Sequence, residues 1–144
     1  MEILFKNATI VTMDPSAPLL KNACLGVEKG SICFLGAEMP KEKASRVVDC
    51  TGKVLLPGFF NTHVHLGMSA MRGYADGYCL SDWLNHHIWP AEKRLTQEAV
   101  RASCALSLAE GIASGTISYT DMYFFEPALA ELCLEAGVMA NLSN

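Results

Sequence analysis

Leu56-Pro57-Gly58-Phe59-Phe60-Asn61-Thr62-His63-Val64-His65 is the stretch on which the reading of this chain turns. Proline and glycine make a turn, Phe59 to Leu66 is a short strand-like run, and two histidines fall at its end. Side chains two apart on a strand share a face, so His63 and His65 project together. Neutral imidazoles on one rigid strand supply half of a catalytic zinc site, for which Zn–N distances of about 2.0–2.1 Å are expected. An H-x-H pair alone arises readily by chance. Here a β-rich segment, a Pro-Gly turn and an apolar strand all frame it.

Upstream, residues 1 to about 56 are short β-type runs separated by turn residues. Ile3-Leu4-Phe5 and Thr9-Ile10-Val11-Thr12-Met13 lead to Asp14-Pro15-Ser16, and the runs from Ala23 to Val27 and from Ile32 to Gly36 flank Glu28-Lys29-Gly30-Ser31. After a charged connector from Lys41 to Arg46, Val47-Val48-Asp49 and Lys53-Val54-Leu55-Leu56 follow. This spacing predicts a small antiparallel sheet, read as a β-sandwich segment over 1–56.

Downstream the period changes. A loop with Gly67, Gly73 and Gly77 leads to Thr96, placed to cap a helix running to about Ser114. Ala102, Ala105, Leu106, Ala109, Ile112 and Ala113 would form its apolar face, with Gly115 at its C-terminus. Thr116 to Tyr123 reads as a second strand, Pro127 to Gly137 as a short helix with Leu129, Leu132, Cys133 and Ala136 on one face, and Val138 to Leu142 as a third strand. Strand, helix, strand, helix, strand is the mark of parallel βαβ units. The expected fold class is therefore α/β: the first βα units of a metal-dependent (β/α)8 TIM barrel over 57–144, after the β-sandwich segment. Such a barrel needs about 200 residues or more, so the chain is expected to be a fragment with an incomplete barrel: truncated, cleaved, or partnered by another piece. A small complete α/β domain is the alternative.

Composition is that of a globular chain, with 51% hydrophobic and 18% charged residues. The formal charge of −4 gives no basic footprint for nucleic acid or an anionic membrane. No run is long enough to span a bilayer, and Glu2, Lys6 and Asn7 within the first stretch do not suit a signal peptide, so a cytoplasmic location is expected. The six cysteines are scattered without a C-x-x-C pair and read as reduced core thiols.

On L-P-G-F-F-N-T-H-V-H the chain resembles the first-strand motif of the amidohydrolase superfamily. Met71-Arg72-Gly73, Asp82-Trp83-Leu84, the run from Trp89 to Thr96, and Asp121-Met122-Tyr123-Phe124 are similar to its methylthioadenosine/S-adenosylhomocysteine deaminase branch. The likeness covers essentially the whole chain and the first third of such an enzyme. It implies a zinc ion held by His63 and His65 together with two histidines and an aspartate from strands five, six and eight. It also implies a proton-shuttling glutamate after strand five, so that no catalytic residue beyond the metal ligands lies in this chain, which alone is expected to be inactive. The implied reaction is hydrolytic deamination of an adenine-type nucleoside, such as S-adenosylhomocysteine, methylthioadenosine or adenosine, by zinc-activated water.

In that branch the glutamate matching Glu92 binds the ribose hydroxyls, and an ionised carboxylate has two acceptor oxygens that suit a vicinal diol. The alternative for Glu92 is a solvated side chain paired with Lys93 or Arg94. Trp83 matches a position lining the same pocket, against an alternative as a core aromatic beside Leu80 and Leu84. Adjacent His86 and His87 make a poor ligand pair and belong on a helix surface or pocket wall. Asp121 reads as a capping or loop residue, and Met68 and Met71 as packing around a pocket. Guanine deaminases and triazine hydrolases share the Trp83 and Pro-x-Glu92 features, so both remain rivals, as does a non-catalytic partial-barrel module. The partners expected are a small-molecule nucleoside and a homo-oligomeric copy or completing segment, with no nucleic acid and no membrane.

Overall fold

In the computed structural model, which describes residues 1–143, Pro57 and Gly58 mark the border between two units. The first is organised around β1 (Ile3–Val11), which pairs antiparallel with β2 (Leu19–Glu28). β2 pairs antiparallel in turn with β3 (Ser31–Gly36). Lys29 and Gly30 both have positive φ, 50° and 73°, the two-residue hairpin geometry whose twist matches the flanking strands. The sheet is not wholly antiparallel, however. β4 (Arg46–Asp49) and β5 (Val54–Leu55) lie on the far side of β1 and run parallel to it. β3 and β4 run in the same direction, so the connector over 37–45 is a crossover that carries the chain back to the starting end of the sheet, and the sheet is mixed. Asp49 secures the turn between β4 and β5 by accepting from the Thr51 amide and hydroxyl at 2.9 and 2.7 Å. These bonds hold its carboxyl down at about 2. Ala8, Ile10, Ala23 and Cys50 form the buried core of this unit. Its described strands form one five-stranded sheet.

The second unit is a three-stranded parallel sheet of β6 (Phe59–Val64), β7 (Thr116–Met122) and β8 (Met139–Ser143), in that order. A 3₁₀ turn, Leu66–Met71, follows β6. Next comes a helical run over 80–92: α1 (Leu80–Asp82), a π-turn (Trp83–Ile88) and α2 (Trp89–Glu92). Pro90 has no N–H to continue the regular ladder, and it sits in the first turn of α2, where none is needed. The wide turn just before it is of the kind that interrupts helices near functional sites.

α3 (Gln97–Ala113) starts at Thr96, whose hydroxyl accepts from the Ala99 amide at 3.2 Å. α4 (Glu126–Ala136) ends at Gly137, with φ 70° in the left-handed region. The two helices cover the sheet and enclose a core of Leu66, Val100, Cys104, Leu108, Tyr119, Leu129 and Cys133. No helix of the described residues is long and apolar enough to cross a membrane.

The buried face of α3 differs from the one its apolar residues predict. Val100, Ser103, Cys104 and Leu108 point inward, while Leu106 is 52% and Ile112 46% exposed, and Ala102, Ala105, Ala109 and Ala113 are exposed too. The inward stripe tolerates its serines because their hydroxyls are spent on backbone carbonyls. Ser103 donates to Ala99 at 2.8 Å and Ser107 to Leu66 at 3.0 Å. The second bond ties the helix to the residue just after the histidine pair.

Two outcomes test this packing. Leu108→Ala should destabilise the whole protein by about 2–5 kcal/mol, read as a lower urea midpoint with unchanged slope. A loss below about 0.5 kcal/mol, the usual size for a surface site, would mean that α3 presents its other face. Burial pushes the Cys104 thiol up to about 12, so alkylation at pH 8 followed by peptide mass mapping should leave it intact until urea is added.

Candidate metal centre and pocket

His63 is a residue of β6, and His65 follows directly after the strand ends at Val64. Their ring centroids lie 5.1 Å apart with the planes steeply inclined. The His65 Nδ1 is 2.8 Å from the backbone carbonyl of Met122. A carbonyl can only accept, so Nδ1 carries the hydrogen and Nε2 keeps its lone pair. Such an outer hydrogen bond is what fixes the ring plane and tautomer of a metal-ligating histidine. No hydrogen bond among the described residues engages the ring of His63.

Asp121 stands behind this pair on the neighbouring strand. It is 1% exposed, and its Oδ2 accepts from the Leu66 amide at 3.0 Å. Oδ1 has no hydrogen-bond partner and lies 3.8 Å from His65 Nδ1, beyond hydrogen-bond reach but close enough for charge to be felt. Burial pushes the Asp121 carboxyl above the usual carboxylate range, and the Leu66 N–H opposes that shift. Asp121 is thus neither a helix cap nor a loop residue. It ties the end of β7 to the backbone that leaves the histidine pair. Glu126, the first residue of α4, is 5% exposed and accepts from the Tyr123 amide at 2.7 Å. Burial, followed by the neighbouring Asp121 charge, raises its carboxyl too.

In front of His65 opens a cavity of about 470 Å³, a size common for small-molecule sites. Its walls are largely apolar, with Met68, Trp83, Leu84, Ile88, Trp89 and Phe124, and its polar groups are His65, Glu92 and Tyr123. Trp83 donates its indole N–H to the Tyr74 carbonyl at 3.3 Å, which sets the ring against this wall. Glu92, the last residue of α2, accepts from the Tyr123 hydroxyl at 2.9 Å. Among the described residues its carboxylate forms no ion pair, with Lys93, Arg94 or any other cation.

Of the residues singled out in the sequence, His65, Trp83, Glu92 and Met68 meet at one cavity, and His63 adjoins His65. His87 instead stacks on Tyr78 at 4.2 Å, and exposed His86 lies 4.0 Å from Asp82. Met71 is not on the cavity wall. Periodicity and spacing gave no hint of Tyr123 or Glu126. The nearest available sign was the alternation of Tyr119, Asp121 and Tyr123 along one strand, which places a carboxylate between two aromatics. Gly67 is a second overlooked sign: a Cβ there would sit 2.5 Å from the Tyr123 ring.

The two imidazoles suit a borderline divalent metal such as zinc in kind, since neutral nitrogen with a freed lone pair is its usual ligand. Among the described residues no three His, Cys, Asp or Glu side chains gather as a complete metal site. His63 and His65 could therefore hold two positions of such an ion. The His65 geometry has a direct check. Long-range ¹H–¹⁵N NMR correlations of the metal-free protein above pH 8 should show His65 as the Nδ1–H tautomer, and an Nε2–H tautomer would contradict the bond to Met122.

Comparison with known proteins places this geometry in a family. Residues 54–142 match the model of the amidohydrolase family. The chain is 44% identical over 143 residues to a 5'-deoxyadenosine deaminase of Methanosarcina mazei, covering 99% of this chain and 33% of that protein. It is 41% identical over 144 residues to a 5-methylthioadenosine/S-adenosylhomocysteine deaminase of Thermoanaerobacter pseudethanolicus, covering 100% of this chain and 33% of that protein. It thus spans about a third of the length of the curated relatives it matches. A crystal structure of an adenosine deaminase from Xanthomonas campestris with bound zinc superposes with a TM-score of 0.88 at 30% identity, over 96% of this chain and 33% of that one. With its histidine pair at the end of a parallel strand and a family match running from Val54 to Leu142, the chain belongs to the amidohydrolase family.

Proposed function

We propose that the whole protein is a divalent-metal-dependent hydrolase that deaminates an adenine-type nucleoside. In this reading the β6–β8 sheet opens a (β/α)8 barrel, residues 1–56 belong to a β-sandwich, and His63 and His65 are two of the metal ligands. The observation that carries it is the sharing of one cavity by His65 and Glu92, with Trp83 also on its wall. A metal-side imidazole and a free carboxylate at two points of an apolar pocket suit a ligand that is flat, apolar on its faces and rich in hydroxyls at one end. The names of the relatives, which are deaminases of adenosine-type nucleosides, support the same substrate class.

A divalent ion held in part by His63 and His65 would supply a water whose pKa is lowered to about 7, the nucleophile that hydrolytic deamination needs. The residues of this chain do the remaining local work. Met122 and Asp121 hold His65 and the chain after it in place, so that the His65 Nε2 presents its lone pair without reorganising. Trp83, Leu84 and Ile88 exclude water from the base. Glu92 accepts the ribose hydroxyls, converting binding energy remote from the reacting carbon into orientation of the ring. The other ligands and the proton shuttle come from parts of the whole protein outside these residues.

Two variants test the two ends of the pocket. Glu92→Gln should raise the KM for adenosine about 10-fold or more, the size expected for weakening hydrogen bonds to a charged acceptor. An unchanged KM would remove Glu92 from the ribose site. At the metal end, Asp121→Ala strips the Leu66 amide of its acceptor and should weaken zinc retention about 10- to 100-fold in chelator competition. Asp121→Asn, which keeps an acceptor, should weaken it less. Equal zinc affinity in all three proteins would show that the clamp does not serve the metal.

A further inference from the structure

Tyr123 is held at three points beside the pocket. Its hydroxyl donates to Glu92 Oε1 at 2.9 Å. Its amide donates to the buried Glu126 carboxylate at 2.7 Å, at the point where Phe125 turns the chain through a left-handed φ of 61° into α4. Its ring lies against the backbone of Gly67, where a Cβ would come within 2.5 and 2.7 Å of ring carbons. The side chain is therefore fixed at its tip, along its ring and at its backbone. Glu92 has no such restraint of its own. It ends a four-residue helix, and the Tyr123 bond is its one side-chain hydrogen bond among the described residues.

We propose that Tyr123 is a positioning residue that sets diol specificity by fixing the Glu92 carboxylate. The inference rests on the reading of Glu92 as the ribose acceptor. A carboxylate offers about four lone-pair directions on two oxygens. The phenol has one hydrogen and occupies one direction on Oε1, which fixes the carboxylate plane and leaves Oε2 open for the neighbouring hydroxyls of a vicinal diol. Without that tie, Glu92 would lose rotamer freedom on every binding event, and part of the gain from the diol would be lost to ordering. Burial, and then the Glu92 carboxylate, push the Tyr123 phenol above its ordinary value, so at neutral pH it remains a donor. A nucleoside without the diol gains nothing from the arrangement, so Tyr123 acts on discrimination rather than on the chemistry at the base.

The test uses the whole, zinc-loaded protein and compares Tyr123→Phe with wild type on adenosine and 2′,3′-dideoxyadenosine. The ratio of kcat/KM for the two substrates should fall about 5- to 20-fold, the loss residing in the KM for adenosine. Equilibrium binding of inosine should weaken by a similar factor, while binding of 2′,3′-dideoxyinosine and zinc content stay as in wild type. In a Glu92→Gln background, Tyr123→Phe should cause no further fall in the ratio. An unchanged ratio, an equal loss on both substrates, or a full additional loss in the Glu92→Gln background would each overturn the proposal. If Glu92→Gln collapses the ratio and Tyr123→Phe leaves it intact, the role of Tyr123 alone falls. If Glu92→Gln also leaves the ratio intact, the diol reading of the pocket falls with it.

Discussion

The tie between the ends of β6 and β7 is the constraint on which the site depends. Two bonds make it: the Leu66 amide to the Asp121 carboxylate at 3.0 Å, and His65 Nδ1 to the Met122 carbonyl at 2.8 Å. Both cross from the first strand to the second just where the parallel pairing of Val64 with Asp121 ends. A carboxylate 1% exposed is costly to bury, and its raised pKa records that cost. Its retention at this point is intelligible because the alternative is worse for the site. Without Asp121, a buried amide beside the histidines would lack its acceptor, a loss of about 1–3 kcal/mol concentrated on the backbone that aims His65.

From that tie the rest of the second unit follows outward. Ser107 of α3 donates to the Leu66 carbonyl, so both polar groups of the residue after His65 are satisfied by neighbouring elements. Tyr123, two residues beyond Asp121 and directly after the end of β7, carries the order to Glu92. Glu126 holds Tyr123 from behind. The end of β7 and the residue after it therefore supply the support for His65 and for the Glu92 carboxylate. The positions of His65 and Glu92 are thus coupled through the end of β7 and the residue after it, not set by independent loops.

The sequence made much of the frame readable, for identifiable reasons. Thr96, Gly115 and Gly137 punctuate their helices with local chemistry, and β-branched and aromatic residues from Thr116 onward mark β7, so these elements stand where the spacing placed them. The H-x-H pair was legible because a Pro-Gly turn and an apolar strand frame it, and the two rings lie 5.1 Å apart. What was hidden depends on contacts between distant residues. The inward face of α3 is built of Val100, Ser103, Cys104 and Leu108, and its serines look polar until their carbonyl partners are known. The parallel course of β4 and β5 depends on a crossover between β3 and β4 in place of a hairpin, which no local pattern encodes. Asp121 and Tyr123 were visible as residues, yet their roles rest on bonds spanning 55 and 31 positions.

Anomalous diffraction at the zinc edge from crystals of the whole protein with inosine bound tests both ends of the pocket at once. A zinc peak should lie about 2.0–2.1 Å from nitrogens of both His63 and His65. In the same map the ribose hydroxyls should lie within hydrogen-bond reach of Glu92, with Tyr123 still bonded to that carboxylate. A zinc peak away from the histidine pair, or a ribose turned from Glu92 with the base against α2, would contradict the proposed function.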